Sequence, residues 1–146
     1  MQQRVFKWCF TIVLLLVISA CCSDDDSPAP STNCDQVTMI SSELFMTAPA
    51  DPLIIHSMEI DDNCLQISFS ASGCDGNSWE TMLVDSEVIM ESNPPQRNLR
   101  LSLKNLELCD AVISKTISFE ISNLQVDGDQ VLLTIANSGD EALYSY

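Results

Sequence analysis

Four stretches of this chain alternate apolar and polar residues with a period of two, a rhythm that suits β-strands and little else. Leu65, Ile67, Phe69 and Ala71 alternate with Gln66, Ser68 and Ser70. Leu99, Leu101 and Leu103 alternate with Arg100, Ser102 and Lys104. Ile113, Ile117, Phe119 and Ile121 share one parity, with Ser114, Thr116, Ser118 and Glu120 on the other. Val131, Leu133 and Ile135 repeat the pattern near the end. Successive side chains of a strand point to opposite faces, so this alternation marks sheets with one buried and one wet face, usually antiparallel. Residues 37–47, 53–60, 81–90 and 142–146 are further candidate strands.

The breakers fall between these stretches. Gly73, Gly76, Gly128 and Gly139 sit in expected turns, as do Pro49, Pro52, Pro94 and Pro95. Proline would remove a ladder hydrogen bond and glycine would weaken a strand, so their placement supports the assignment. Residues 126–130, with Asp127-Gly128 at the centre, read as a hairpin turn, because Asp-Gly accepts positive φ. Asn93-Pro94-Pro95 marks a sharp turn able to carry a cis bond. Seven or eight short strands at this spacing predict an all-β fold, an antiparallel β-sandwich of immunoglobulin-like type, with a small β-barrel as the alternative.

The chain divides into three parts. Arg4 and Lys7 precede an apolar run from Trp8 to Ile18, broken only by Thr11, and the small residues Ser19 and Ala20 follow. That run is too short to span a bilayer, which takes roughly 20 residues, and it has the form of a signal h-region. Residues 1–20 are read as a signal peptide, 21–33 as a tether and 34–146 as one domain of a size that buries a real core. The tether is rich in Ser, Asp and Pro and is expected to be extended.

Ile18-Ser19-Ala20-Cys21 resembles the lipobox of bacterial lipoproteins. The resemblance implies that Cys21 is acylated and becomes the first residue of the mature chain. Two or more acyl chains anchor a protein stably, at roughly 0.8 kcal/mol per buried methylene. Ser23, Asp24, Asp25 and Asp26, just after Cys22, resemble the acidic export signal of Bacteroidota surface lipoproteins. That second resemblance implies an outer-membrane protein displayed on the cell surface; a periplasm-facing protein with a solvated acidic linker is the alternative.

All 21 acidic residues follow Cys21, and four of the six basic residues remain once Arg4 and Lys7 are removed. So acidic a surface repels nucleic acid and anionic lipid head groups, and it keeps the protein soluble. Of the seven cysteines, Cys34, Cys64, Cys74 and Cys109 lie in the domain. In an exported domain they read as two disulfides. Three connectivities are open; Cys74–Cys109 and Cys34–Cys64 are favoured, each tying a strand end to a loop. Cys22 has no evident partner. With no Cys-x-x-Cys pair and one histidine, the domain suggests no metal site.

Other residues carry candidate chemistry beside a plainer role. His56 shares parity with Ile54, Met58 and Ile60, which suits a core or rim residue better than a catalytic base. No nucleophile elbow, phosphate loop or His-Glu-x-x-His is present, so no enzyme class and no cofactor is indicated. Asp61-Asp62-Asn63, Asp75-Gly76-Asn77 with Glu80, and Asp127-Gly128-Asp129 offer calcium-type oxygens, yet these are also turn residues. Arg97, Arg100 and Lys104 are gathered in one segment; with Trp79 they form a candidate patch for a ligand or partner. The plainer expectation is cross-strand pairing with carboxylates. Lys115 falls on the apolar parity of its strand, which a bulge or an edge position would explain. Trp79, Tyr144 and Tyr146 suit either a sugar-stacking surface or core packing. The function expected is a non-catalytic binding or accessory module, meeting an outer-membrane protein or an extracellular ligand. A structural envelope component and an enzyme of unrecognised type are the alternatives.

Overall fold

A computed structural model describes residues 33–146. The signal segment, Cys21, Cys22 and the acidic tether lie outside the described residues. The chain forms β1 (Gln36–Val37), β2 (Met39–Ile40), α1 (Ser42–Thr47), β3 (Ile54–Asp61), β4 (Cys64–Gly73), β5 (Glu80–Met90), β6 (Gln96–Lys104), β7 (Ala111–Glu120), β8 (Gln130–Ile135) and β9 (Glu141–Ser145). Two sheets face each other, in the orders β1-β7-β4-β3 and β2-β5-β6-β8-β9.

The protein is thus an all-β sandwich, and the alternating residues fill its core. Leu65, Ile67 and Phe69 of β4, with Phe119 of β7, come from one sheet. Leu83, Leu99, Leu101, Val131, Leu133 and Ile135 meet them from the other. Tyr144 is fully buried, and its hydroxyl donates to Asn63 Oδ1 at 2.5 Å, fastening β9 to the β3–β4 turn.

The pairing is mixed, whereas the sequence predicts antiparallel strands. β6 and β8 run parallel, as do the two-residue strands β1 with β7 and β2 with β5. If the seven longer strands β3–β9 are lettered A to G, the sheets read E-B-A and C-D-F-G. The immunoglobulin constant arrangement groups them A-B-E-D and C-F-G. The A-B-E and F-G neighbours are kept; the fourth strand has moved between C and F.

Three local expectations are corrected. Residues 37–47 are two short strands and a helix, not one strand. The Ser41 hydroxyl accepts Leu44 N–H at 3.2 Å as N-cap, and Glu43 sits in the first turn, both of which favour a helix start. Residues 126–130 do not close a hairpin: Gly128 has φ 120°, but the turn carries the chain from β7 in one sheet to β8 in the other. His56 does not follow the parity of Met58 and Ile60. A bulge between Ile55 and Ser57 turns Ile55, Met58 and Ile60 inward and leaves Ile54 and His56 exposed. The Asn93–Pro94 bond is cis.

Two disulfides bracket β4. Cys34–Cys64 closes one end, with Cα atoms 5.6 Å apart, and Cys74–Cys109 closes the other at 4.9 Å. This is the pairing favoured from the sequence. Ten residues of strand separate the ends, about 30 Å at roughly 3.3 Å per residue. The domain therefore begins at one pole, and the loops leaving β4 and β6 gather at the other.

Candidate functional site

At that second pole the connection from β6 to β7 (residues 105–110) is built inside out. Asn105 and Glu107 turn inward as fasteners and its leucines face solvent. Asn105 N–H donates to Asp51 Oδ2 at 2.6 Å, and its side-chain amide donates to Ser72 O at 2.6 Å. Asn105 Oδ1 in turn accepts Glu107 N–H at 2.9 Å. Two residues on, Cys109 is bridged to Cys74. Between these fixed points, Leu106 is 73% and Leu108 97% exposed.

Glu107 is the strongest fastener. Its Oε2 accepts the backbone N–H groups of Cys74 (2.5 Å), Asp75 (3.2 Å) and Gly76 (3.0 Å), while Oε1 accepts the Ser78 hydroxyl at 2.9 Å. Three successive N–H groups can converge because Gly76 adopts φ 70°, which forms a backbone nest for an anion. Loss of hydration acts to raise the Glu107 pKa; the hydrogen bonds from Gly76, Cys74, Ser78 and Asp75 outweigh it and hold the carboxyl at about 2. The protein thus fills its own anion nest.

Lys115 and Trp79 support the nest from beneath. Lys115 Nζ donates to Gly76 O and stands 5.5 Å from the Trp79 ring centroid, a cation–π arrangement. Trp79 packs on Phe69 with centroids 6.0 Å apart. The β4–β7 register is unbroken past Lys115, so no bulge accounts for it. The edge does: β1 covers only Phe119 and Glu120, and among the described residues no strand pairs with the rest of that side. An inward charge on such an edge also discourages a foreign strand from adding there.

Two grooves open beside the leucines. One of about 330 Å³ is lined by Pro52, Ser72, Asn105, Leu108, Cys109 and Asp110, among others. The other, about 160 Å³, is lined by Leu53, Ile54, Ala71 and Val112 and shares Pro52 and Ser72 with the first. Ile54 and Val112 are 66% and 75% exposed. Ile54, Val112 and Leu108, all well exposed, thus rim the two adjoining grooves.

The other expected site residues do not assemble. Arg97, Arg100, Lys104 and Trp79 form no common patch. Arg97 makes a buried ion pair with Asp85 at 2.8 Å. Arg100 donates to Ala48 O at 2.6 Å, capping α1, with its guanidinium 6.0 Å from the Phe45 ring centroid. Lys104 pairs with Glu80 directly opposite, at 2.8 Å. Nor do Trp79, Tyr144 and Tyr146 form a common stacking surface: Tyr144 is buried, Trp79 packs on Phe69, and Tyr146 fastens to Val126 through its hydroxyl. His56 Nε2 lies 2.8 Å from Ser70 Oγ, a pair the sequence reading missed because β3–β4 register brings it together. Ser70 is 4% exposed, and among the described residues no carboxylate orients the ring. Nucleophilic chemistry would need both access and that third group. Asp75 Oδ1 accepts Asn77 N–H at 2.8 Å, a turn role. Among the described residues no three His, Cys, Asp or Glu side chains are grouped to hold a metal, and no helix is long and apolar enough to cross a membrane.

The fold places the protein among β-sandwich domains. Neither a family model nor a curated protein matches the sequence. Among solved structures it is similar to a toxin-related protein from Parabacteroides distasonis, with 16% identity and a TM-score of 0.51. It is also similar to a protein of unknown function from Bacteroides vulgatus, at 17% identity and a TM-score of 0.48. Each likeness covers 76% of this chain, and only 60% and 55% of the two neighbours. At such identity the first likeness speaks for the fold alone.

Proposed function

We propose that this chain is an outer-membrane lipoprotein, anchored by acyl chains on Cys21 and displayed on the cell surface. In this reading it serves as a non-catalytic binding or accessory module. Its contact face is the pole carrying Leu106 and Leu108. The observation that carries the reading is the inverted β6–β7 connection, with leucines outward and Asn105, Glu107 and Cys109 as fasteners. Contiguous exposed apolar groups are characteristic of interaction sites. A loop already fixed in shape loses little conformational entropy on binding. The lipobox-like Ile18-Ser19-Ala20-Cys21 and the acidic Ser23-Asp24-Asp25-Asp26 support anchoring and display.

Recovery of the full-length, C-terminally tagged protein from gently solubilised membranes tests both parts. Cys21→Ala is expected to release it from the membrane fraction, and alanine at Asp24, Asp25 and Asp26 to lower its surface exposure. The double variant Leu106→Ser, Leu108→Ser is expected to lose a co-purifying envelope protein while melting like the wild type. Unchanged recovery of that protein with the double variant would refute the contact face.

A further inference from the structure

We infer that the leucine pole takes a segment of another protein with aliphatic side chains at its centre and Lys or Arg at its flanks. This deepens the reading of the pole as the contact face and rests on it. The centre of the site is apolar, with Ile54, Leu108 and Val112 around grooves that meet at Pro52 and Ser72, and Leu106 exposed two residues before Leu108. Its rim is anionic. Asp75 and Asp110 are exposed, and Glu107 stays charged in its nest. The cations nearby are engaged: Lys104 with Glu80, and Lys115 with Gly76 O and the Trp79 face. Apolar contacts at the centre with opposite charges around them give affinity and register together.

Charge also decides against two other occupants. A second copy would bring Asp75, Asp110 and Glu107 against their own kind, on a chain with 21 acidic residues and six basic ones in all. A bilayer would have to bury those carboxylates beside the leucines with no cation to pair them, which is strongly unfavourable.

The test uses the lipidated protein in nanodiscs of neutral lipid and three fluorescent probes. The first is a peptide with a Leu-Ser-Val-Ser-Leu centre and two lysines at each end. The second carries glutamates in place of the lysines. The third is the soluble Cys21→Ala full chain. The lysine peptide is expected to bind about tenfold more tightly than the glutamate peptide at low salt, an advantage that shrinks in 0.5 M salt. Asp75→Asn with Asp110→Asn should reduce that preference, and Leu106→Ser with Leu108→Ser should abolish binding of both peptides. Equal affinity for the two peptides, or no binding of either, would overturn the proposed chemistry, as would tighter binding of the full-chain probe. The contact face would survive those results if the leucine variant still lost its membrane partner; if it kept the partner, the face itself would fall.

Discussion

Gly73 and the Glu107 carboxylate compete for one space: a Cβ on residue 73 would collide with Glu107 Oε2 and lie 2.9 Å from Trp79 Cζ2. Gly73→Ala should therefore destabilise the domain by about 1–3 kcal/mol, as overpacking of a closed site does. The cost should shrink in a Glu107→Ala background, because the closer of the two struck atoms is gone and only the Trp79 contact remains. A double-mutant cycle by urea denaturation measures the coupling.

Glu107 also predicts a pH dependence. Its folded pKa of about 2 lies below the ordinary value of 4.5, so its stabilisation is present above pH 4.5 and is lost as pH falls toward 2. Glu107→Gln has no such charge to lose. The variant should melt below the wild type at neutral pH, and the gap should close between pH 4.5 and 2. Thermal melts across that range decide it.

The buried pair at the opposite end of β6 should behave with the reverse sign. Burial pushes the Asp85 carboxyl up, against the lowering effects of Glu87 N–H and Arg97. Arg97→Met would strand that carboxylate and should cost about 3–5 kcal/mol near neutrality. The folded variant would then bind a proton more readily than the unfolded chain. Its deficit against the wild type should therefore narrow as pH falls from 7 toward 4, measured by denaturant titration.

Trp79 is half-buried against Phe69 and roofed by Lys115. Trp79→Ala should cost about 3 kcal/mol, the low end for truncating a packed aromatic. Lys115→Met should cost about 1 kcal/mol from the lost cation–π contact. Unfolding curves for the two variants check both values.

The alternation at Leu65–Ala71, Leu99–Leu103 and Val131–Ile135 made β4, β6 and β8 legible, because each is buried on one face throughout. α1 was hidden: six residues are too few to show a helical period, and its Ser41 cap and first-turn Glu43 were slight local marks. The Arg97–Asp85 pair was equally invisible, since Asp85 stands opposite Leu99 and meets Arg97 two residues away on the neighbouring strand rather than directly across. At the pole, nothing in Asn105-Leu106-Glu107-Leu108 marks its leucines as outward-facing. The Glu107 carboxylate is held inward by the Cys74–Gly76 backbone, some thirty residues away in sequence, a contact no local pattern shows. Cys109 was the one residue there whose role could be inferred in advance.

The placement of the two disulfides at either end of β4 has a mechanical consequence. A lipid holding the chain before Cys34 and a partner held beside Cys109 would pull along that strand. β4 is bonded on both sides, to β3 and β7, so such a load would shear two ladders at once rather than unzip one. The covalent bridges carry tension into the strut at both ends. Loaded in that way, β4 would act as a strut between anchor and partner, with both ladders sharing the strain.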